Sequence, residues 1–436
     1  METAENLFLK NQNYSPRILH LDMDSYFASV AQQANPKLAH RPVGIIKALG
    51  RACVIAASRE AKKFGIKTGT STWEAKQLCP RIIFVPADFD QYFSVTKKFI
   101  QICSRFSPEL EVFSIDELFL DVSQTQQFFG GVENLVALIK KALKEEVGPL
   151  VTVSVGLSYN RLLAKLASGI DKPDGFFEIT LENRDEVLFK TQLSKICGLG
   201  FRLEARLLNM GIRNFQQLRQ IPLEFLEASF GPYWSIQLKK LSHGIDDLGL
   251  TSFYSLADPK TISRTFTLFR NTDSLIKIKQ TIFNLCQEVA SKARDLKMKG
   301  RYVGLAIRGE EKAAFTHLTL KYFLADEYQL FGIVWNLFNQ LSSRGGSAFG
   351  GNWSYQVRFL GVSLSLLAKE SDLTISFLEN PRKEKLLGAI DQINHRYGGF
   401  TLYPACLLGS ELIRPEVNGF LGDKQYQFKD FSLATS

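Results

Sequence analysis

Asp22 and Asp24 stand inside the stretch I-L-H-L-D-M-D-S-Y-F (residues 18–27), and a second acidic pair, Asp116 and Glu117, lies in V-F-S-I-D-E-L-F-L-D-V. The apolar residues ahead of the first pair predict a buried strand, and strand ends in open sheets are where ligands commonly sit. The second string alternates apolar and polar residues, as paired strands do. If the two strands are neighbours, three or four carboxylates converge at one sheet edge. Such a cluster cannot stay ionised without a cation, and hard Mg²⁺ suits carboxylates combined with phosphate oxygens. Either acidic pair alone would read as a surface turn. Together, on two apolar strands, they point to two-metal phosphoryl transfer.

The elements that position these acids follow from the rest of the chain. Its 436 residues exceed one core and predict two to four domains, and 45% hydrophobic with 22% charged residues is the balance of an ordinary globular protein. Lys and Arg number 53 against 44 Asp and Glu, a net charge of +9. Acidic clusters in a basic chain fit a polyanionic substrate held by the surface and processed through metal. Six scattered cysteines without Cys-x-x-Cys spacing argue against zinc and for a reducing, cytoplasmic setting. The N-terminus is unlike a signal peptide, and no apolar run of about 18 residues suggests a membrane span.

Residues 1–16 read as a flexible leader. A-S-V-A-Q-Q-A-N-P predicts a short helix ending before Pro36, followed by two β-rich runs, R-P-V-G-I-I-K-A and A-C-V-I-A-A-S-R. A basic helix ended by Gly65 then carries Arg59, Lys62 and Lys63, close enough to share a face. Helical periodicity returns at 91–106 and 132–146, before the strand V-T-V-S-V-G-L. The amphipathic helix S-Y-N-R-L-L-A-K-L-A-S-G-I leads into the turn D-K-P-D-G with Lys172. This order of elements outlines a palm-like α+β sheet into which residues 28–89 are inserted. Residues 181–248 are helical, and their Gly198-Leu199-Gly200 turn would expose backbone N–H groups to a phosphate. Residues 249–260 read as a linker. A second run of strand, long helix, two strands, helix and strand follows; over 249–366 the count is 15 Lys/Arg against 8 Asp/Glu, or +7.

The strings L-D-M-D-S-Y-F-A-S-V, F-G-I-K-T-G, S-I-D-E-L-F-L-D-V, V-G-L-S-Y-N-R-L-L-A-K and K-P-D-G stand in the order seen in Y-family translesion DNA polymerases. The chain resembles that family over about residues 17–366, and most of all its bacterial polymerase IV branch. The resemblance implies an α+β multidomain, right-hand polymerase: palm (17–27 and 90–180), small fingers (28–89), helical thumb with a helix-hairpin-helix (181–248), linker (249–260), little finger (261–366) and C-terminal tail (367–436). It implies template-directed addition of dNTPs to a primer 3′-OH on primed DNA, low fidelity, lesion bypass, no proofreading and a monomeric enzyme. Asp22, Asp116 and Glu117 would be catalytic and hold two Mg²⁺ ions with the Met23 carbonyl, while Asp24 would be a less direct neighbour. Phe27 would be the steric gate against a ribose 2′-OH and Tyr26 would pack beneath the nucleotide. Ser58, Arg59, Lys62 and Lys172 would serve the nucleotide, although Arg59 stands where the family usually has Tyr. Gly198 and Gly200 in the thumb, with Arg264 and Arg270 in the little finger, would contact DNA. Thr374–Leu378, T-I-S-F-L, resembles a degraded sliding-clamp peptide. Two other readings share these features: a catalytically silent DNA- or clamp-binding scaffold on the same fold, and a nucleotide cyclase, for which the duplex-binding modules have no use.

Overall fold

The structure is a computed structural model that describes residues 16–47, 53–253, 258–310, 312–343, 356–374 and 381–410. Most of the 1–16 leader and residues 375–378 of the clamp-like peptide lie outside the described residues. The chain divides into two compact units at residues 256/257, inside the stretch 249–260.

In the first unit β1 (Ile18–Met23) leads into α1 (Tyr26–Ala34). There follow β2 (Val43–Ile46), β3 (Val54–Ala57), α2 (Arg59–Lys62), α3 (Thr72–Leu78) and β4 (Ile83–Pro86). Next come α4 (Phe89–Ser104), β5 (Leu110–Val112), β6 (Glu117–Asp121), α5 (Val132–Glu146), β7 (Val153–Ser158), α6 (Arg161–Ala167) and β8 (Phe176–Glu178). The main sheet has the order β5-β6-β1-β7-β8. Because β6 and β7 hydrogen-bond to its two edges, β1 is central and every residue but Asp22 is buried, which explains its continuous apolar run. Gly156 on β7 allows α6 to press onto this sheet: a Cβ there would fall 2.2 Å from both the Ala164 carbonyl oxygen and the Ser168 nitrogen. Helix α4 buries Tyr92, Thr96, Phe99 and Cys103, an apolar stripe of helical period.

The inserted residues make their own small sheet, β3-β2-β4, with a separate core of Val54, Ala61, Ile66, Ala75 and Ile82. Its α3 and β4 lie where hydrophobic periodicity predicts no element. Each is short; α3 is fixed by the Ser71 side chain, which accepts the Glu74 N–H at 3.0 Å. After the main sheet come α7 (Arg184–Lys190), α8 (Phe201–Asn209), α9 (Phe215–Gln220) and α10 (Leu223–Ser242). They share a core of Leu188, Leu207, Phe215, Leu218, Leu226 and Leu238. Helix α10 breaks at Gly231, where φ is +79° ahead of Pro232.

The second unit is built from β9 (Thr261–Thr272), α11 (Leu275–Asp295), β10 (Met298–Arg308), β11 (Ala313–Leu324), α12 (Glu327–Ser343) and β12 (Val357–Lys369). Its four strands are antiparallel in the order β11-β10-β12-β9. Val303, Leu305 and Ile307 face Ile278, Ile282, Leu285 and Val289 of α11 in one core, as period 2 and period 3.6 require. Among the described residues the opposite face mixes short side chains, Thr261, Ser263, Thr265 and Ser363, with the rings of Tyr302, Phe315, His317 and Phe359. Part of the segment read as a tail is folded against this unit. In α13 (Pro381–Tyr397), Asp391 Oδ2 accepts from Arg294 Nε at 2.6 Å, while Arg294 NH1 reaches Glu327 at 2.7 Å.

Candidate active site

Antiparallel register sets Asp22 of β1 directly opposite Glu117 of β6, so both side chains leave the same face of the sheet. The Met23 N–H donates to the Asp116 carbonyl at 2.9 Å, tying the residue before Glu117 to the end of β1. Further support comes from α1 and α4: the Tyr26 hydroxyl donates to the Tyr92 carbonyl at 2.5 Å and lies 2.8 Å from Thr96 Oγ1. The Thr96 hydroxyl in turn reaches the Ile115 carbonyl at 2.6 Å.

Each of the three carboxylates gives one oxygen to a protein donor. Asp22 Oδ1 pairs with Lys172 Nζ, and Asp116 Oδ1 accepts from the Ser114 hydroxyl at 2.5 Å. Glu117 Oε2 takes Lys165 Nζ and lies 3.1 Å from His20 Nε2. Among the described residues no second side-chain donor reaches the other oxygen of any of the three, and the Asp116 carboxyl also faces its own N–H. Burial raises the pKa of Asp22, Lys172 opposing it, and burial also raises Asp116. Burial acts the same way on Glu117, but His20 and Lys165 outweigh it and hold that carboxyl at about 2. Hard carboxylate oxygens are the donor set that Mg²⁺ or Mn²⁺ takes. The described residues contain no group of three acids, imidazoles or thiols already gathered at ligand distance.

Asp24 stands apart. It is 4% exposed, and both its oxygens are taken: by the Thr152 hydroxyl at 2.6 Å, the Ser154 hydroxyl at 2.7 Å and the Asp174 N–H at 2.8 Å. This carboxylate therefore anchors the turn after Lys172, with both of its oxygens engaged. Arg59 from α2 reaches across to it, with NH2 3.5 Å from Oδ2 and in contact with Thr152 Oγ1.

Phe27 is half-buried and stacks on Tyr92, ring centroids 4.4 Å apart and planes 19° from parallel, so one aromatic face is braced by α4. Tyr26, by contrast, is in the core, and burial raises its phenol pKa. Ser58 is fully buried: it caps α2 by accepting the Ala61 N–H at 3.2 Å and also accepts the Val43 N–H at 3.1 Å. Its part is to hold the helix that carries Arg59 and Lys62. Lys62 is exposed, with its pKa lowered by partial burial and by Lys172. Gly198, at φ +94°, and Gly200, which precedes α8, have no atom within 4 Å of a would-be Cβ, leaving that turn open. Arg270 is exposed. Arg264 is not: alternation along β9 puts it on the helix-covered side with Ile262, where its Nε meets Glu288 at 2.6 Å. His20, Lys165, Thr152 and Ser154 did not stand out in the sequence as part of the site. The available signal was a polar His20 in an apolar strand and a lone Lys165 in L-L-A-K-L-A.

A sheet bearing paired acids, flanked by cations from an inserted lobe and followed by a helical module, defines a palm-type nucleotidyl-transfer protein. The impB/mucB/samB family matches residues 21–169, and its C-terminal domain matches residues 259–377. DNA polymerase IV of Pelotomaculum thermopropionicum is 33% identical over 403 residues, 90% of this chain and 95% of the relative. DNA polymerase IV of Desulfatibacillum aliphaticivorans is 30% identical over 90% of this chain and 96% of its own. Among solved structures, a Y-family DNA polymerase chimera superposes with a TM-score of 0.68 at 24% identity, covering 81% of this chain and 99% of that one, a likeness of fold. The chain belongs to the Y-family DNA polymerases, in their DNA polymerase IV branch. The architecture is that of a right-hand polymerase, with palm, small fingers, helical thumb and little finger.

Proposed function

We propose that the chain is a template-directed, translesion-type DNA polymerase in which Asp22, Asp116 and Glu117, with the Met23 carbonyl, hold two Mg²⁺ ions. The observation that carries this reading is the register that sets Asp22 opposite Glu117, with Asp116 next to it, near the cations of Lys165, Lys172 and Lys62. Bound divalent ions supply charge neutralisation and an activated primer hydroxyl. The chain's own residues bind and orient. Lys172, Lys62 and Arg59 serve the triphosphate, and Phe27 fills the space a ribose 2′-OH would need. The Gly198–Gly200 turn offers N–H groups to a DNA phosphate. On the little finger, the exposed hydroxyl side chains of Thr261, Ser263 and Thr265 on the face opposite the helix core suit contacts to phosphates without base reading. Arg270 adds to these; Arg264, committed to Glu288, does not.

Extension of a primed template by single dNTPs, with and without Mg²⁺, tests the proposal. Asp116→Ala should cost more than the roughly 100-fold typical of losing an outer-shell partner. Wild-type extension by that variant would end the assignment and leave the non-catalytic scaffold.

A further inference from the structure

His20 sits two residues before Asp22 on the same side of β1 and is fully buried. The close approach of α6 that Gly156 permits brings Ser168 Oγ to 2.7 Å from His20 Nδ1. Phe119 packs on the ring at 4.6 Å between centroids. The imidazole is thus held on two sides, and its Nε2 lies 3.1 Å from Glu117 Oε2. Glu117 Oε2 is the polar atom facing that buried nitrogen, approached off the N–H axis. A carboxylate only accepts, so Nε2 carries the hydrogen, while the Ser168 hydroxyl can serve Nδ1 in either sense. Lys165 reaches the same Oε2, but a lysine on a flexible stem follows charge and fixes no direction.

We propose that His20 is a positioning residue for Glu117: it commits Oε2 to the protein and so leaves Oε1 to the metal, with Ser168 holding the ring in place. The inference rests on the metal-binding reading of Asp22, Asp116 and Glu117. It differs from that reading in making a buried contact outside the three acids decide how well they bind.

The test titrates the full chain with Mn²⁺ alone and follows the free ion by electron paramagnetic resonance, with melting curves recorded in parallel. His20→Phe should weaken Mn²⁺ binding by about 10–100-fold, the range for loss of an outer-shell partner. His20→Gln, whose amide can place an N–H near the position of Nε2, should recover most of it. Ser168→Ala should fall between wild type and His20→Phe. If folded His20→Phe binds Mn²⁺ within about twofold of wild type, the proposal is overturned. Equal weakness of His20→Gln and His20→Phe at wild-type melting temperature overturns it too. Should His20→Phe not fold, Ser168→Ala decides, and unchanged affinity there counts against the proposal. Asp116→Ala is the control: wild-type Mn²⁺ binding by that variant would mean that the metal reading itself has failed.

Discussion

Lys172 closes an ion pair on Asp22 Oδ1 across 150 positions of sequence. Lys165 does the same to Glu117, so two of the three acids proposed to hold metal are already neutralised by cations of the palm. A triphosphate competes for those lysines and a divalent ion for those carboxylates. Binding either one frees a partner for the other, which is a positive coupling between two ligands.

Lys172→Ala breaks that exchange. A charge-assisted hydrogen bond contributes about 1.5–3 kcal/mol, so the dNTP concentration for half-maximal extension should rise roughly 10–100-fold. Mn²⁺ binding in the absence of nucleotide should not weaken, because Asp22 has lost a competitor. A variant with unchanged dNTP dependence would remove Lys172 from the triphosphate.

Phe27 is braced by Tyr92 on one side and by Phe89 edge-on at 6.0 Å, so it cannot easily swing away from a ribose. Phe27→Ala should lower discrimination between dNTP and rNTP by at least about tenfold, since a pocket contact the size of a methylene already carries that much. Primer extension with each nucleotide at matched concentrations measures it. Retained discrimination would reject the gate.

The acidic strands, the basic α2 and the Lys172 turn could be read from sequence because each combines a period with chemistry that the period does not need. A carboxylate in an apolar strand has no packing purpose. Arg264 shows the converse. As a cation in a basic module it reads as a surface contact, and only the alternation of Ile262, Arg264 and Phe266 against Thr261, Ser263 and Thr265 reveals that it faces the helices. Asp24 needed the fold itself, since its donors come from β7 and from the turn at Asp174, both distant in sequence. The docking of α13 also could not be read, because Asp391 looks like a solvated charge until Arg294 is placed beside it.

The thumb carries a pH-dependent brace. Arg219 makes two hydrogen bonds to Asp185, at 2.9 and 3.1 Å, and these, with Arg184, depress the Asp185 pKa well below the ordinary carboxylate range. A depressed folded-state value means stability that is complete above the unfolded pKa of about 3.9 and is lost as pH falls toward the folded one. Between about pH 5 and pH 3, wild type should therefore lose more melting temperature than Asp185→Asn does. Parallel pH profiles for the two proteins would show that the pair contributes nothing.

In the little finger, Arg294 is shared by Glu327 and Asp391, with the Ala325 carbonyl accepting a further bond at 2.8 Å. Breaking a buried pair costs about 3–5 kcal/mol. Asp391→Ala leaves Arg294 two acceptors and belongs at the low end, whereas Arg294→Ala removes the cation from two buried carboxylates, of which Asp391 keeps only the Ser291 hydroxyl, and belongs at the high end. Urea unfolding of the whole chain should rank the variants in that order, and equal costs would mean that α13 is not held by this triad.

The Arg59 guanidinium turns toward Asp24 and Thr152. Removing it leaves Asp24 with the Thr152 and Ser154 hydroxyls and the Asp174 N–H, enough to keep the buried carboxylate satisfied. Arg59→Tyr should therefore fold and extend primers within about tenfold of wild type, a loss no larger than one charged contact. Asp24→Asn is the harsher change, because one of its two acceptor positions becomes an NH₂ group that faces donors and loosens the turn after Lys172. Single-nucleotide extension should rank Asp24→Asn well below Arg59→Tyr. The reverse order would show that the arginine does something a phenol cannot, and that its reach to Asp24 is incidental to it.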